Sequence, residues 1–348
     1  MNPYVMALLL LALGLGTTIT FASSHWLLAW MGLEINTLAI VPLMAYHHHP
    51  RAVEATTKYF LTQAAAAATL LFASATNAWL TGQWDIHMMT HPVPATMATL
   101  ALSLKVGLAP LHTWLPEVLQ GLDLTTGLIL STWQKLAPFA LLLQLPLQNQ
   151  PMLIILGLTS TLVGGWGGLN QTQLRKILAY SSIAHLGWMI LIIQFAPSLT
   201  LLALTMYLMM TSAAFLTLKL NSATTINALG GSWTKAPLLT ALLPMTLLSL
   251  GGLPPLSGFM PKWLILQELT KQNLSLTATV AALTALLSLY FYLRLCYAMT
   301  LTVSPNNISG TASWRFPTQH TLTPLTITTM ASCLLLPLAP ALTSVLSL

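Results

Sequence analysis

Uninterrupted apolar runs of about 20 residues recur along almost the whole chain and restrict it to one fold class. The run at 124–146, LTTGLILSTWQKLAPFALLLQLP, has the typical length, and Lys135 is its single charged residue. An α-helix of about 20 apolar residues crosses about 30 Å of hydrocarbon, whereas the strands of a membrane barrel show short alternating segments. Only 5% of the residues are charged, against about 25% in soluble domains, which excludes a soluble core. The sequence therefore predicts an all-α polytopic membrane protein.

We predict about eleven transmembrane helices in a single membrane domain, 1–348. No stretch between the apolar runs is long enough to form a soluble domain. The first run carries no basic residue, so we expect a retained helix rather than a targeting segment. The predicted spans are 3–21, 25–46, 57–80, 93–118, 124–146, 151–169, 175–196, 199–220, 237–267, 275–302 and 323–345.

The basic residues predict the orientation of these helices. If successive spans alternate in direction, eight basic residues lie on the side of the N-terminus and one lies on the other side. Short loops on the cytoplasm-equivalent side carry the excess of Lys and Arg, so we expect the N-terminus there and the C-terminus opposite. The eight residues are Arg51, Lys58, Arg175, Lys176, Lys219, Lys235, Arg294 and Arg315, and the single one is Lys271.

An internal repeat relates two of the apolar runs. Residues 107–118, GLAPLHTWLPEV, align without gaps to residues 252–263, GLPPLSGFMPKW, at an offset of 145. Two prolines and a glycine coincide, which is unusual within hydrophobic segments. The identical pairs are Gly107/Gly252, Leu108/Leu253, Pro110/Pro255, Leu111/Leu256 and Pro116/Pro261.

The prolines of the repeat predict a discontinuous helix in each half of the chain. Proline removes a backbone donor and clashes with the preceding turn, so both segments should break near mid-membrane. An offset of 145 residues contains five predicted helices, an odd number, so the two copies would be inverted with respect to the membrane. We therefore predict two inverted five-helix repeats, 1–146 and 151–302, followed by a C-terminal helix, 323–345. This is the architecture of ion-coupled transporters.

Four charged residues lie inside apolar runs and are the main candidates for function: Glu34, Lys105, Lys135 and Lys262. A charge at the centre of a membrane helix costs roughly 2.5–3.5 kcal/mol on insertion scales. Low-dielectric surroundings destabilise the charged forms of Lys and Glu, which lets them exchange protons. A pair of Glu34 with Lys105 would keep both ionised, and breaking it would release a proton toward Lys135. The alternative is a static ion pair that holds helices together.

Two histidines are candidate relay residues. His185 is central in its apolar run, and His112 follows the predicted break at Pro110. A neutral imidazole accepts on one nitrogen and donates from the other, which suits a water-linked proton wire. The alternative is a hydrogen bond between helices.

We predict no metal site or iron–sulfur cluster. The three consecutive histidines at 47–49 cannot all face one ion, and Cys296 and Cys333 lack CxxC spacing. Glycines at 163–168 do not follow a strand, so they indicate close helix packing rather than phosphate binding.

Taken together, these motifs resemble the antiporter-like membrane subunits of respiratory NADH:ubiquinone oxidoreductase, particularly the vertebrate mitochondrial members. The resemblance covers almost the whole chain. The motifs that carry it are LLAWMGLEINTLAI (27–40), LSLKVGLAPLHTWLPEV (102–118), QKLAP (134–138), LRKILAYSSIAHLGW (174–188) and GGLPPLSGFMPKW (251–263).

The resemblance implies roles for the candidate residues. Glu34 corresponds to the family's glutamate, Lys105 to its partner lysine, Lys135 to the connecting lysine and Lys262 to the terminal lysine of the second broken helix. The two histidines correspond to positions on a polar axis between them. Protons would pass from matrix to intermembrane space along Glu34, Lys105, Lys135, His185 and Lys262.

The resemblance also implies a multi-pass protein of the mitochondrial inner membrane, with its N-terminus in the matrix and its C-terminus in the intermembrane space. Its partners would be the other membrane-arm subunits of complex I and membrane lipids, with no nucleic acid. FMN, iron–sulfur clusters, NADH and ubiquinone are expected in other subunits, and no cofactor is expected on this chain.

Two other functions are compatible with the same residues. A free-standing cation/proton antiporter would transport ions in liposomes without partner subunits. A purely structural membrane-arm subunit would tolerate neutral substitutions of all four buried charges without loss of pumping.

Overall fold

The computed structural model describes residues 2–46, 48–146, 150–234, 236–302 and 322–346, which are helical without any β-strand. This confirms the predicted all-α class. His47, Lys235 and Arg315, named in the predictions above, lie outside the described residues. The helices are α1 (Pro3–Ala22), α2 (Trp26–Met44), α3 (Pro50–Thr81), α4 (Pro92–Val106), α5 (Trp114–Gly121), α6 (Leu124–Ser131), α7 (Trp133–Gln144), α8 (Gln150–Gly167), α9 (Leu174–Ile192), α10 (Pro197–Leu220), α11 (Ile226–Gly230), α12 (Pro237–Gly251), α13 (Phe259–Lys271), α14 (Ser275–Leu301), α15 (Thr323–Leu334) and α16 (Ala339–Leu346).

Several of these helices have the length and composition of membrane spans. Five described helices, α1, α2, α3, α10 and α14, are long and apolar enough to cross a membrane singly. A sixth span results if α15 and α16, bent by 71°, are taken together. Three further predicted spans are each divided between two shorter helices, α4 with α5, α6 with α7, and α12 with α13. The total of eleven spans therefore stays a prediction.

The chain forms two compact units, Met1–Leu156 and Gly157–Leu348. In the first unit, α3 packs against α2, α4 and α5, and α7 packs against α1, α2 and α4. In the second unit, α10 is central and contacts α9, α12, α13, α15 and α16. Each unit thus contains one copy of the repeated broken segment, α4 with α5 in the first unit and α12 with α13 in the second.

The two broken helices have the same local geometry. Helix α4 ends at Val106 and α5 begins at Trp114, whereas α12 ends at Gly251 and α13 begins at Phe259, so each boundary is displaced by 145 residues. The residue after each first half is a glycine with positive φ, 89° at Gly107 and 80° at Gly252. Left-handed backbone disfavours residues with a Cβ, so glycine ends both helices at the same place. The predicted breaks are confirmed.

Within each unit, every second loop between helices lies at the same end of the helix bundle, and backbone hydrogen bonds join such loops. In the first unit, Trp26 N donates to the carbonyl of Trp84, which joins the first and third connections. In the second unit, Leu174 N donates to the carbonyl of Thr224, which joins the connections before α9 and after α10. Helices that alternate in direction within a bundle produce this arrangement.

One predicted span is divided into two helices in the structure. The range 124–146 contains a break at Thr132, between α6 and α7. The Thr132 hydroxyl donates to the carbonyl of Leu128 at 2.7 Å, a back-bond that bends helices. Lys135 therefore lies in the first turn of a new helix rather than in the middle of a continuous one.

Helix α3 is longer than predicted at its N-terminal end. It begins at Pro50 rather than at residue 57, because Pro50 occupies the first turn and the His49 side chain accepts a hydrogen bond from Arg51 N. Its 32 residues extend about 48 Å at 1.5 Å per residue, which exceeds the hydrocarbon thickness. The charged Glu54 and Lys58 are accordingly near one end.

Glycines bring the first two helices of each repeat close together. A Cβ on Gly16 of α1 would lie 2.8 Å from the carbonyl oxygen of Gly32 in α2, and a Cβ on Gly32 would lie 2.8 Å from that of Gly16. In the second unit, a Cβ on Gly187 of α9 would lie 2.8 Å from the carbonyl oxygen of Gly157 in α8. Small residues allow such backbone contact in membrane helices.

Candidate functional site

Glu34 lies in α2 with its carboxylate held by a neighbouring hydroxyl. Its side chain is half-buried. The hydroxyl of Thr37, one turn later, donates to Glu34 Oε2 at 2.9 Å and is also 2.9 Å from the carbonyl oxygen of Glu34. The sequence pattern E-x-x-T therefore orients the carboxylate by a local contact within the helix.

Lys105 lies in the last turn of α4, immediately before the break. The residue is 6% exposed, and its Nζ atom is buried without a hydrogen-bond partner among the described residues. The Glu34 carboxylate acts on Lys105 electrostatically. The ion pairs within the described part of the chain do not include either residue, so this interaction acts over a longer distance than a direct contact. The predicted pairing of Glu34 with Lys105 therefore stays a prediction.

Lys135 and Lys105 line the same cavity in the first unit. The cavity has a volume of about 20 Å³. Lys135 is 3% exposed and projects from α7, whereas Lys105 projects from α4. The lining residues are Leu33, Asn36, Thr37, Tyr59, Gln63, Lys105, Val106, Trp114, Leu130, Gln134, Lys135, Ala137 and Pro138. Two of the four predicted charges are thus brought together, with Thr37 connecting the cavity to Glu34.

Three uncharged amides line this cavity and were not predicted, and two of them are buried. Asn36 is 2% exposed and Gln63 is 3% exposed. Both amide atoms of Asn36, and Gln63 Nε2, are buried without hydrogen-bond partners among the described residues. An inspection of the apolar runs for amide side chains as well as charges would have found them, since Gln63 directly precedes a run of five alanines.

His112 lies in the break between α4 and α5. Its side chain is half-buried, and its carbonyl accepts a hydrogen bond from Leu115 N at 3.1 Å. It is not among the residues that line the cavity. The structure therefore places His112 on the broken helix, as predicted, but beside the cavity rather than in it.

His185 lies in α9 of the second unit and contacts a buried tyrosine. Its ring and that of Tyr207 in α10 are 5.7 Å apart between centroids, with an interplanar angle of 43°. Tyr207 is fully buried. Helices α9 and α13 also pack against each other, so His185 and Lys262 lie on neighbouring helices.

Lys262 lies in α13 and binds the end of the other half of its broken helix. Its Nζ donates to the carbonyls of Gly251 at 2.7 Å and Leu250 at 3.3 Å. The C-terminal end of a helix has unpaired carbonyls and a partial negative charge, which favour a cation. In the first unit, Trp114 Nε1 donates to the carbonyl of Leu104 at 3.0 Å. The second break is therefore bridged by the ammonium of Lys262, which can titrate. The first break is bridged by the indole N–H of Trp114, which does not titrate.

The described residues contain no group of three His, Cys, Asp or Glu side chains placed to hold a metal ion. The chemistry that the arrangement supports is proton exchange among amines, a carboxylate and imidazoles.

Comparisons with known sequences agree over the whole chain. A family model described as NADH:quinone oxidoreductase/Mrp antiporter, TM, matches residues 23–288, and one described as NADH dehydrogenase subunit 2 C-terminus matches residues 289–343. The chain is 74% identical to NADH-ubiquinone oxidoreductase chain 2 of Tetraodon nigroviridis, covering 98% of both chains. It is 71% identical to the protein of the same name from Oncorhynchus mykiss, covering 100% of both.

Solved structures share the fold. A chain in respiratory complex I from Thermus thermophilus matches with a TM-score of 0.87 and 28% identity, covering 99% of this chain and 81% of that one. A chain in the Mrp complex from Dietzia sp. matches with a TM-score of 0.82 and 16% identity, covering 97% of this chain and 76% of that one.

Proposed function

Because the chain belongs to the NADH dehydrogenase subunit 2 family, we propose that it is a membrane-arm subunit of respiratory complex I that translocates protons. The observation that carries this function is the shared cavity of Lys105 and Lys135, two buried amines on different helices. A purely structural lysine needs a partner carboxylate or carbonyl, whereas Lys105 Nζ has no hydrogen-bond partner among the described residues. The site suits an amine that exchanges its proton.

The proposed transfer begins with the electrostatic coupling of Glu34 to Lys105. When Glu34 loses its charge or moves away, the ammonium of Lys105 loses stabilisation and its proton passes toward Lys135. In the second unit, His185 and Lys262 continue the path. The order Glu34, Lys105, Lys135, His185, Lys262 is supported by the resemblance, and His112 is a further candidate beside the first break.

Electron transfer from NADH to ubiquinone belongs to other subunits in this proposal. FMN, the iron–sulfur clusters and the binding sites of NADH and ubiquinone are expected there. The partners of this chain are the other membrane-arm subunits and membrane lipids. Large exposed apolar side chains on α1, such as Tyr4, Leu8 and Leu11, suit such surroundings.

We further propose eleven spans, arranged as two inverted five-helix repeats, 1–146 and 151–302, and a C-terminal span, 323–345, within one membrane domain. The equal displacement of both helix breaks by 145 residues supports the repeat. The mitochondrial inner membrane is the proposed location, with the N-terminus in the matrix and the C-terminus in the intermembrane space.

Replacement of Lys105 by Met tests this function in the assembled complex. We expect proton pumping and ubiquinone-coupled turnover to fall at least about tenfold, since a positioned acid–base group is lost. Electron transfer from NADH to ferricyanide should stay unchanged, because it does not use the membrane arm. Normal pumping by the assembled variant would refute the relay role. Cation transport by the isolated chain in liposomes would instead indicate a free-standing antiporter.

A further inference from the structure

The cavity between Lys105 and Lys135 has the size and polarity of a site for one water molecule. A water needs roughly 10–15 Å³ of such volume and two to four polar partners. The cavity measures about 20 Å³, so it holds about one water. Four buried polar atoms that have no hydrogen-bond partner in the described part of the chain belong to its lining residues: Lys105 Nζ, Gln63 Nε2 and both amide atoms of Asn36.

The donors and acceptors of these side chains match a single bridging water. A water accepts two hydrogen bonds and donates two. Lys105 Nζ and Gln63 Nε2 are donors that fill both accepting positions of the water, so Asn36 completes the site by accepting from the water through its amide oxygen. Buried donors left unsatisfied are costly, which favours a water bound to all three side chains over a dry cavity.

Asn36 is held in place from two sides. Gln134 Nε2 of α7 donates to the Asn36 backbone carbonyl at 3.1 Å, which joins α2 to α7 beside the cavity. On the opposite side, α1 presents Gly16, where a Cβ would lie only 2.3 Å from Asn36 Oδ1. The amide thus lies against glycine backbone with no room for a side chain there.

We propose that Asn36 and Gln63 are positioning residues that orient the water through which a proton passes from Lys105 to Lys135. This inference rests on the proposed function of the two lysines. In the step, an N–H bond of the Lys105 ammonium breaks and an O–H bond of the water forms. The water gives a different proton to the neutral amine of Lys135, leaving neutral Lys105, an ammonium at Lys135 and an unchanged water. The amides do not titrate, so they orient the water without carrying the proton.

The chain contains a matched control for these amides. Asn77 lies in the same helix as Gln63, is 0% exposed, and has both amide atoms buried without partners among the described residues. It does not line the cavity. Asn77→Leu therefore measures the effect on pumping of losing a buried amide that lies outside the cavity of Lys105 and Lys135.

The experiment compares Asn36→Leu, Gln63→Met and Asn77→Leu in the assembled complex. We expect Asn36→Leu and Gln63→Met to lower pumping and coupled turnover about tenfold, because misplacement of a reacting group slows transfer strongly. In both variants the solvent isotope effect on turnover should rise, while the reduction of ferricyanide by NADH should not change. The control variant Asn77→Leu should pump normally. Asn36→Ser, which keeps a hydroxyl that can hold the water, should restore most of the pumping.

Two outcomes would overturn the inference. One is normal pumping by Asn36→Leu and Gln63→Met while Lys105→Met is inactive, which leaves the proposed function intact. The other is a water-resolving structure of the wild-type complex in which the cavity is dry or its water contacts neither amide, a result that does not depend on any variant folding. Normal pumping by Lys105→Met would instead refute the proposed function itself.

Discussion

Two buried lysines of the proposed path, Lys105 and Lys262, are placed beside polar groups that offset part of the cost of their burial. Lys262 donates to two carbonyls at a helix end, and Lys105 lies beside polar cavity side chains under the influence of Glu34. A charge at mid-membrane otherwise costs roughly 2.5–3.5 kcal/mol. At the scale of the residue, the two lysines therefore differ: Lys262 is hydrogen-bonded to backbone carbonyls, whereas Lys105 lines a cavity with polar side chains.

This difference predicts distinct effects for substitutions at the two helix breaks. Lys262→Met should increase hydrogen exchange of the backbone amides at 252–258 by about tenfold or more, because hydrogen bonds from a charged donor are worth about 1.5–3 kcal/mol. Lys262→Gln keeps a donor and should have a smaller effect on exchange while still abolishing pumping.

Trp114→Phe is the control for that measurement. It removes the donor to the Leu104 carbonyl, so faster exchange is expected at 107–113 and not at 252–258. Equal exchange in the wild type and Lys262→Met at 252–258 would show that the lysine does not stabilise the break.

At the scale of the element, the discontinuous helix is the feature that positions the site. Each break follows a glycine with positive φ, and each places a candidate site residue near a helix end: Lys105 before the first break and Lys262 after the second. The two segments therefore share the backbone break, but their charged residues do not stand at equivalent positions. The position equivalent to Lys262 is Glu117, which pairs with Lys58 at 2.8 Å on the exposed side of α5.

Alanine substitutions of three glycines should separate backbone strain from steric conflict. All three have positive φ, which costs a residue with a Cβ roughly 1–2 kcal/mol. At Gly82 a Cβ would meet nothing within 4 Å, at Gly107 it would lie 2.9 Å from Leu115 Cδ1, and at Gly252 2.9 Å from Lys262 Cδ. We expect Gly82→Ala to lower the melting temperature by the effect of backbone strain alone. Gly107→Ala should lower it further, because its Cβ also conflicts with Leu115.

Gly252→Ala should also displace Lys262 and lower pumping, whereas Gly82→Ala should pump normally. Melting temperature and pumping of the assembled complexes measure the two effects. Equal pumping in Gly252→Ala and Gly82→Ala would contradict a dependence of Lys262 on the geometry of its break.

At the scale of the whole molecule, the distribution of charge is the basis of the proposed orientation in the membrane. The guanidinium of Arg294 donates to the carbonyls of Leu169 and Gln171, which places this arginine at the connection between α8 and α9. Arg175 and Lys176 follow in the first turn of α9. Basic residues distant in sequence thus gather at one end of the second unit, and the positive-inside rule favours the matrix side for that end.

An accessibility experiment tests the proposed orientation. We expect a tag at the N-terminus to be reached by antibody only in inverted inner-membrane vesicles, and a tag at the C-terminus only in mitoplasts with an intact inner membrane. The excess of basic residues on the matrix side is the physical reason. Accessibility of both tags from one side would require an even number of spans and contradict the proposed eleven.

The sequence by itself determined the helical membrane class, the repeat and the two breaks, because these depend on local properties: apolar length, proline and glycine. It also identified the candidate charged residues, since a charged residue within an apolar run can be recognised without knowledge of the tertiary structure. Only the tertiary structure decided that Lys105 and Lys135 share a cavity, that Lys262 binds carbonyls, and that Asn36 and Gln63 join the site. Those contacts join residues on different helices, and their distances depend on how the helices pack. A hydrophobic pattern shows which segments are buried, but within a membrane, where most faces are apolar, it does not show which polar atoms meet.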